Sequence, residues 1–146
     1  MLHRRPLTGA CAMGLWLALT GPCVPASVTT APPPSVALSI TYTAGSSVHA
    51  GATLTCRSGL ARATGFLVHR STALLCRRAR VMRLFLASAP ARGRLCSQIY
   101  GGPDRALIRG TIGTDSIRRR FGRADGCQIA DWTRARLLLP PPSGAQ

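Results

Sequence analysis

Cys96 to Cys127 reads CSQIYGGPDRALIRGTIGTDSIRRRFGRADGC, and its punctuation lays out an extended loop followed by a hairpin. A cysteine opens the run, Gly101-Gly102-Pro103 turns the chain, and a second cysteine closes it. Leu107 and Ile112, on either side of Gly110, predict a strand. Gly113-Thr114-Asp115 predicts a turn, and Ile117, Arg119 and Phe121 form one alternating face of the returning strand. The hairpin brings Cys127 back towards Cys96. If the two are bonded, Ser97, Gln98, Ile99 and Tyr100 are presented as a rigid, exposed strand that a protease would meet as it meets a substrate.

Upstream of this run the hydrophobic pattern supplies the remaining elements. Val36, Leu38, Ile40 and Tyr42 alternate with Ala37, Ser39 and Thr41, and after Ala44-Gly45-Ser46-Ser47 the alternation resumes at Ala52, Leu54 and Cys56. Two antiparallel strands, each with one buried face, are predicted. Ser71 is placed to cap a helix over Thr72 to Ala87, whose apolar stripe is Leu75, Ala79, Met82 and Leu86. Arg77, Arg80 and Arg83 fall on another, solvated face. Downstream, Asp131, Trp132 and Leu137 to Leu139 predict a short helix or strand against the core. The expected fold class is α+β: an antiparallel sheet of about five strands with one longer and one short helix.

The start of the chain sets a compartment. His3, Arg4 and Arg5 precede an apolar run, Leu7 to Leu19, too short to span a bilayer, and Val24-Pro25-Ala26 offers a small-residue cleavage site. Residues 1–31 are therefore expected to be a signal peptide and flexible lead, cut near Ala26 or Ala31. Residues 32–140 are expected to form one domain and residues 141–146 a disordered tail. The expected protein is secreted and extracellular, with no membrane association once the signal is removed. Cleavage discards Cys11 and Cys23 and leaves Cys56, Cys76, Cys96 and Cys127, an even number suited to two disulfides. Of the three possible pairings, joining sequence neighbours is the simplest.

Composition works by exclusion. The chain has no Glu and no Lys, and its carboxylates are Asp104, Asp115, Asp125 and Asp131; His49 and His69, expected in solvated loops, are the histidines left after cleavage. Paired acid/base carboxylates, a Ser/His/Asp triad or a four-ligand metal site are hard to assemble from that set, so the expectation is not an enzyme, with no metal and no cofactor. Removing Arg4 and Arg5 takes the 19 basic residues to 17 against four Asp, a formal charge of +13 in place of +15. Such a surface attracts polyanions whatever its origin, and an all-Arg, Ala- and Gly-rich chain is also what GC-rich coding produces. No specific nucleic-acid module is recognisable, because the aromatic residues do not interleave with Arg.

Leu-Thr-Cys at 54–56, Cys-x-Gln-Ile-Tyr-Gly-Gly-Pro at 96–103, Gly-Thr at 110–111 and Phe-x-Arg-x-Asp-Gly-Cys-x-Ile-Ala-x-Trp at 121–132 resemble the Streptomyces subtilisin inhibitor family of secreted serine-protease inhibitors. The resemblance covers residues 34–139 and is densest from Cys96 to Trp132. It implies an α/β sandwich, a homodimer made through the sheet, and the disulfides Cys56–Cys76 and Cys96–Cys127. It also implies extracellular subtilisin-type serine proteases as partners. Matching the motif makes Cys96, Ser97, Gln98, Ile99 and Tyr100 the reactive loop and Gln98–Ile99 the reactive bond. Asp125, where the family carries Asn, then stands at the position that supports the loop. Two other readings of the chain are a cationic secreted polyanion-binding or antimicrobial protein, and an inactive divergent relative of the inhibitors.

Overall fold

The computed structural model describes residues 33–46 and 48–143, so the expected signal peptide and its cleavage site lie outside the described residues. Five antiparallel strands form one sheet in the order β3-β2-β1-β4-β5. These are β1 (Val36–Ala44), β2 (Val48–Arg57), β3 (Leu60–Ala63), β4 (Arg105–Ile112) and β5 (Asp115–Phe121). The predicted α+β class is the observed one.

The alternation read in β1 is the hinge of the design, because β1 is the central strand and pairs with both β2 and β4. Val36, Leu38, Ile40 and Tyr42 point to one face and are buried there with Ala52, Leu54 and Cys56 of β2, Ile108 and Ile112 of β4, and Ile117 and Phe121 of β5. The helices α1 (Thr72–Val81), α2 (Arg83–Ala87) and α3 (Gly126–Ala135) supply the second layer. Leu75, Ala79, Met82, Leu86, Trp132 and Ala135 are buried in the same core cluster, as are Leu138 and Leu139 beyond α3. No helix among the described residues is long and apolar enough to cross a membrane.

Three elements depart from the sequence reading. The predicted helix over Thr72 to Ala87 is two helices, parted at Met82 (φ −89°, ψ 7°). No Gly or Pro marks that break; Met82 and Leu86 both stay buried across it, so packing on the sheet overrides local propensity. Strand β3 carries no alternation to read, since Leu60, Ala61 and Arg62 are exposed on a short edge strand. The last helix starts at Gly126, before the expected Asp131. Its signal was present: Asp125 caps it by accepting from Gln128 N at 2.8 Å, while Gln128 Oε1 reaches back to Ala124 N at 3.4 Å, a reciprocal cap across Asp-x-x-Gln.

Both disulfides join sequence neighbours and bridge different elements. Cys56–Cys76 (Cα–Cα 6.0 Å) pins α1 to β2 inside the core, and Cys96–Cys127 (5.3 Å) pins the segment before β4 to α3. Closing loops of these lengths is worth roughly 3 to 4 kcal/mol each by chain entropy.

Gly110 lets β4 lie against β1. Its φ is +134°, and a Cβ there would sit 1.9 Å from the Ala37 carbonyl oxygen; Gly45, at φ +59°, has open space around it. Gly110→Ala should therefore cost roughly 3 kcal/mol or more, and Gly45→Ala only the left-handed penalty of about 1 to 2 kcal/mol. Paired denaturant melts of the two variants measure this difference.

Candidate functional site: the loop between Cys96 and Pro103

The chain between α2 and β4 forms no helix or strand from Arg94 to Asp104, and Ser97, Gln98, Ile99 and Tyr100 are all exposed. Ile99 is 63% and Tyr100 66% exposed. Leu95 just before the disulfide is fully exposed too, and Leu60, Val68, Val81 and Leu84 are open elsewhere, so exposure makes this adjacent pair available for contact but does not by itself single it out.

The loop is held on both sides of its tip. On the entry side Cys96 is bonded to Cys127, and Ser97 O accepts from Gly126 N at 3.0 Å. A Cβ at Gly126 would come within 2.1 Å of Ser97 Oγ, so a larger residue there would have to turn the Ser97 hydroxyl aside. On the exit side Gly101 N donates to Arg123 O at 2.8 Å, and Arg123 Nε donates to Gly101 O at 2.7 Å. Gln98, Ile99 and Tyr100 lie between the two clamps with their side chains in solvent.

Arg123 is itself anchored from below. Its Nε lies 3.7 Å from Asp104 Oδ2, and its guanidinium lies 6.0 Å from the Trp132 ring centre. Asp104 is 1% exposed. Its Oδ1 accepts from Tyr42 OH at 2.7 Å and from Ser143 Oγ and N at 2.7 and 3.1 Å. A chain of polar contacts thus runs from the central strand through Asp104 and Arg123 to the backbone of the loop. Burial alone raises the Asp104 carboxyl, but the bonds from Ser143 and Tyr42 and the charge of Arg123 outweigh it and hold the group below its ordinary range. Tyr42 is pushed up, first by burial and then by its bond to Asp104.

The sequence-predicted residues come together here with different roles. Cys96, Ser97, Gln98, Ile99, Tyr100 and Cys127 form the loop and its cross-link. Asp125 stands behind them, and its carboxylate accepts from Gln128 N and from Gln128 Nε2 at 2.7 Å, so it organises the start of α3. The bonds to the loop backbone come from the residues on either side, Gly126 and Arg123. Those Gln128 bonds also lower the Asp125 pKa. Cys96, Asp125 and Cys127 place a carboxylate oxygen and two sulfurs within 4.8 Å of one another, but the sulfurs are bonded to each other and offer no thiolate to a metal. His69 is exposed as expected, whereas His49, also exposed, lies in β2 rather than in a loop.

Sequence reasoning gave no role to Arg123, Asp104 or Ser143, and it read Tyr42 only as part of the buried face of the first strand. The partial signal was Pro103-Asp104, an acidic residue in a chain with four, set directly after the turn that ends the loop. Ser143 falls in the segment assigned by composition to the tail. Neither the models of known protein families nor the sequences of characterised proteins yield a match to this chain.

The Asp104 network should shape the pH dependence of stability. Because the folded carboxyl titrates below the unfolded value of about 3.9, its contribution is complete above that pH and is lost as pH falls through the folded value. Asp104→Asn should flatten this acid limb and lower stability at pH 7 by roughly 1 to 3 kcal/mol, as thermal melts from pH 2 to pH 7 would reveal. Tyr42 acts at the other end: with a folded pKa above the usual 10, its contribution holds below that pH and is lost as pH rises through the folded value.

Proposed function

We propose that this chain is a secreted inhibitor of subtilisin-like serine endopeptidases, acting by substrate-like insertion of the loop Cys96 to Tyr100 with Gln98–Ile99 as the reactive bond. The observation that carries this reading is the double clamp, which leaves Gln98, Ile99 and Tyr100 exposed between a disulfide with its Ser97–Gly126 bond and the Gly101–Arg123 pair. The residues at 96–103 and 121–132 that resemble the subtilisin inhibitors supply both halves of that clamp.

A flexible substrate orders about six residues in a protease cleft, at roughly 1 to 2 kcal/mol of backbone entropy each. The clamped loop has surrendered most of that freedom on folding, so its cleft contacts appear as affinity, through strand-like pairing along the protease edge. The same clamp explains slow turnover. Attack of the protease serine on the Gln98 carbonyl forms an acyl-enzyme and releases the Ile99 amine. Ile99 is tied two residues on, at Gly101, to the body that also holds Ser97, so the amine stays beside the acyl carbon and re-forms the peptide bond in competition with water.

Specificity lies with Gln98. It is neutral and of medium length, so a pocket with a buried carboxylate lacks its cationic partner, while a broad, mostly apolar pocket accepts it. The many arginines lie off the reactive bond and do not alter that choice.

Titration of subtilisin with the oxidised protein should give stoichiometric inhibition, lost by at least about tenfold in Gln98→Gly. Gln98→Arg should acquire inhibition of trypsin, which the parent leaves active. A folded protein with both disulfides formed that inhibits neither enzyme in either form would overturn the proposal.

A further inference from the structure

The face of the sheet turned away from the helices is a distinct surface, and its charge cannot be balanced within the chain. The strand register sets its residues in lateral rows: Arg118, Arg109, Ser39 and Thr53 in one, Arg120, Leu107, Thr41 and Gly51 in the next. Arg105 extends the face beside Thr43, and Arg62 lies on it at the far edge beside Thr55. Arg105, Arg109, Arg118 and Arg120 are all exposed. Arg109 is directly opposite Arg118, a like-charge cross-strand pair that disfavours the sheet it sits in.

No carboxylate relieves this pair. The chain has four, and three are ion-paired elsewhere: Asp104 with Arg123, Asp115 with Arg83, and Asp131 with Arg94 and Arg119. The fourth, Asp125, is engaged at the cap of α3. Among the described residues, then, no side-chain carboxylate is ion-paired with the arginines of this face, which leaves them open to anions from outside. Two shallow depressions combine them with hydroxyls: one of about 190 Å³ joins Arg105 and Arg120 with Thr41 and Thr43, and one of about 410 Å³ joins Arg109 with Ser39, Thr53 and Thr55.

We infer that this sheet face is a binding site for a flexible linear polyanion of the phosphate-chain type, a function separate from protease inhibition and independent of it. Arg109 and Arg118 rise from neighbouring strands whose backbones run about 5 Å apart, and Arg118 and Arg120 from positions roughly 7 Å apart along β5. Their long side chains can reach successive anionic groups of an extended chain, beside hydroxyls that can donate to the same oxygens. A nucleic acid suits the face less well, because it carries no Phe, Tyr or Trp to stack on successive bases, only the single imidazole of His49, and no Asn or Gln to read a base edge. The homodimer through the sheet that the resemblance implies would use this same face, and it suits these residues least, since stacking two copies opposes arginine to arginine with no carboxylate between them; the polyanion takes the place of that dimer here.

The test is the affinity of the oxidised full chain for long-chain inorganic polyphosphate, followed across a range of salt concentrations. The expected result is binding whose log K falls linearly with log salt. Arg109→Thr/Arg118→Thr should weaken it by ~tenfold or more and reduce the salt slope by about 2. Both side chains are exposed and repel each other, so the variant keeps its fold. Arg77→Thr/Arg136→Thr removes the same charge from exposed positions away from the face, one in α1 and one just past α3, and should change affinity less than ~threefold. Equal losses in the two double variants would reduce the effect to net charge and overturn the site. Absence of binding at low salt, or duplex DNA binding as tightly per phosphate, would overturn it as well.

Discussion

Arg119 is 4% exposed inside a strongly basic protein, and Asp131 makes that possible by accepting from its Nη2 at 2.9 Å. Its Nη1 donates to the carbonyls of Phe85 and Ser88, and its guanidinium lies 4.4 Å from the centre of the Phe85 ring. One ion pair therefore joins β5, α3 and the end of α2. Removing Asp131 would leave a buried cation with carbonyls and a ring face alone, among the more damaging changes available to a small domain. The other carboxylates stand at similar junctions. Asp115 joins β5 to α2 through Arg83, Asp104 joins β1 to the loop support through Arg123, and Asp125 starts α3. With so few anions in the chain, each sits where two or three elements meet.

The loop inherits its rigidity from that arrangement. Arg123 holds Gly101 in place only while its own position is fixed, and Asp104 fixes it by facing the guanidinium inside a pocket closed by Tyr42 and Ser143. The disulfide at Cys96 acts on the other flank and needs no such network. Each clamp has a backbone bond, but they differ in what is added to it, a disulfide on one side and a guanidinium facing a carboxylate on the other, and acid weakens the second. Protonation of Asp104 thus leaves the entry side of the loop fixed and loosens the exit side, which under the proposed function is the side that would retain the amine of a cleaved bond.

Much of this was legible in the sequence because it rests on short-range pattern. The period of two in Val36 to Tyr42 fixed which face of β1 is buried, and Gly113-Thr114-Asp115 marked the β4–β5 turn because reversal there needs a left-handed residue at Gly113. The exposed stretch from Ser97 to Tyr100 followed from the flanking cysteine and the Gly-Gly-Pro turn. What could not be read depends on partners far apart in the chain: Asp104 meets Tyr42 across 62 residues and Ser143 across 39. The break at Met82 was invisible for a related reason. The residues there favour a continuous helix, and the competing term is packing against strands elsewhere in the sequence. Strand β3 lay beyond reach because an exposed edge strand has no buried face to impose a period.

The distribution of charge also separates the two surfaces by the physics they use. Ser97 to Tyr100 carry no formal charge, and the contacts proposed for them with a protease would be backbone pairing and the filling of pockets, which salt screens little. The arginines of the open sheet face act through attraction that is damped beyond about 8 to 10 Å at ordinary ionic strength. Arg105 and Arg120 link the two, because they border both the open face and the cleft that runs beside Cys96 and Cys127. A polyanion lying along the face would therefore reach the flank of the loop without covering its tip. The clamps on Gln98 to Tyr100 are the Cys96–Cys127 bond, the backbone bonds at Ser97 and Gly101, and the Arg123 guanidinium turned to Asp104, none of them an arginine of the open face, so a bound polyanion would act on the loop only through Arg105 and Arg120 at its flank.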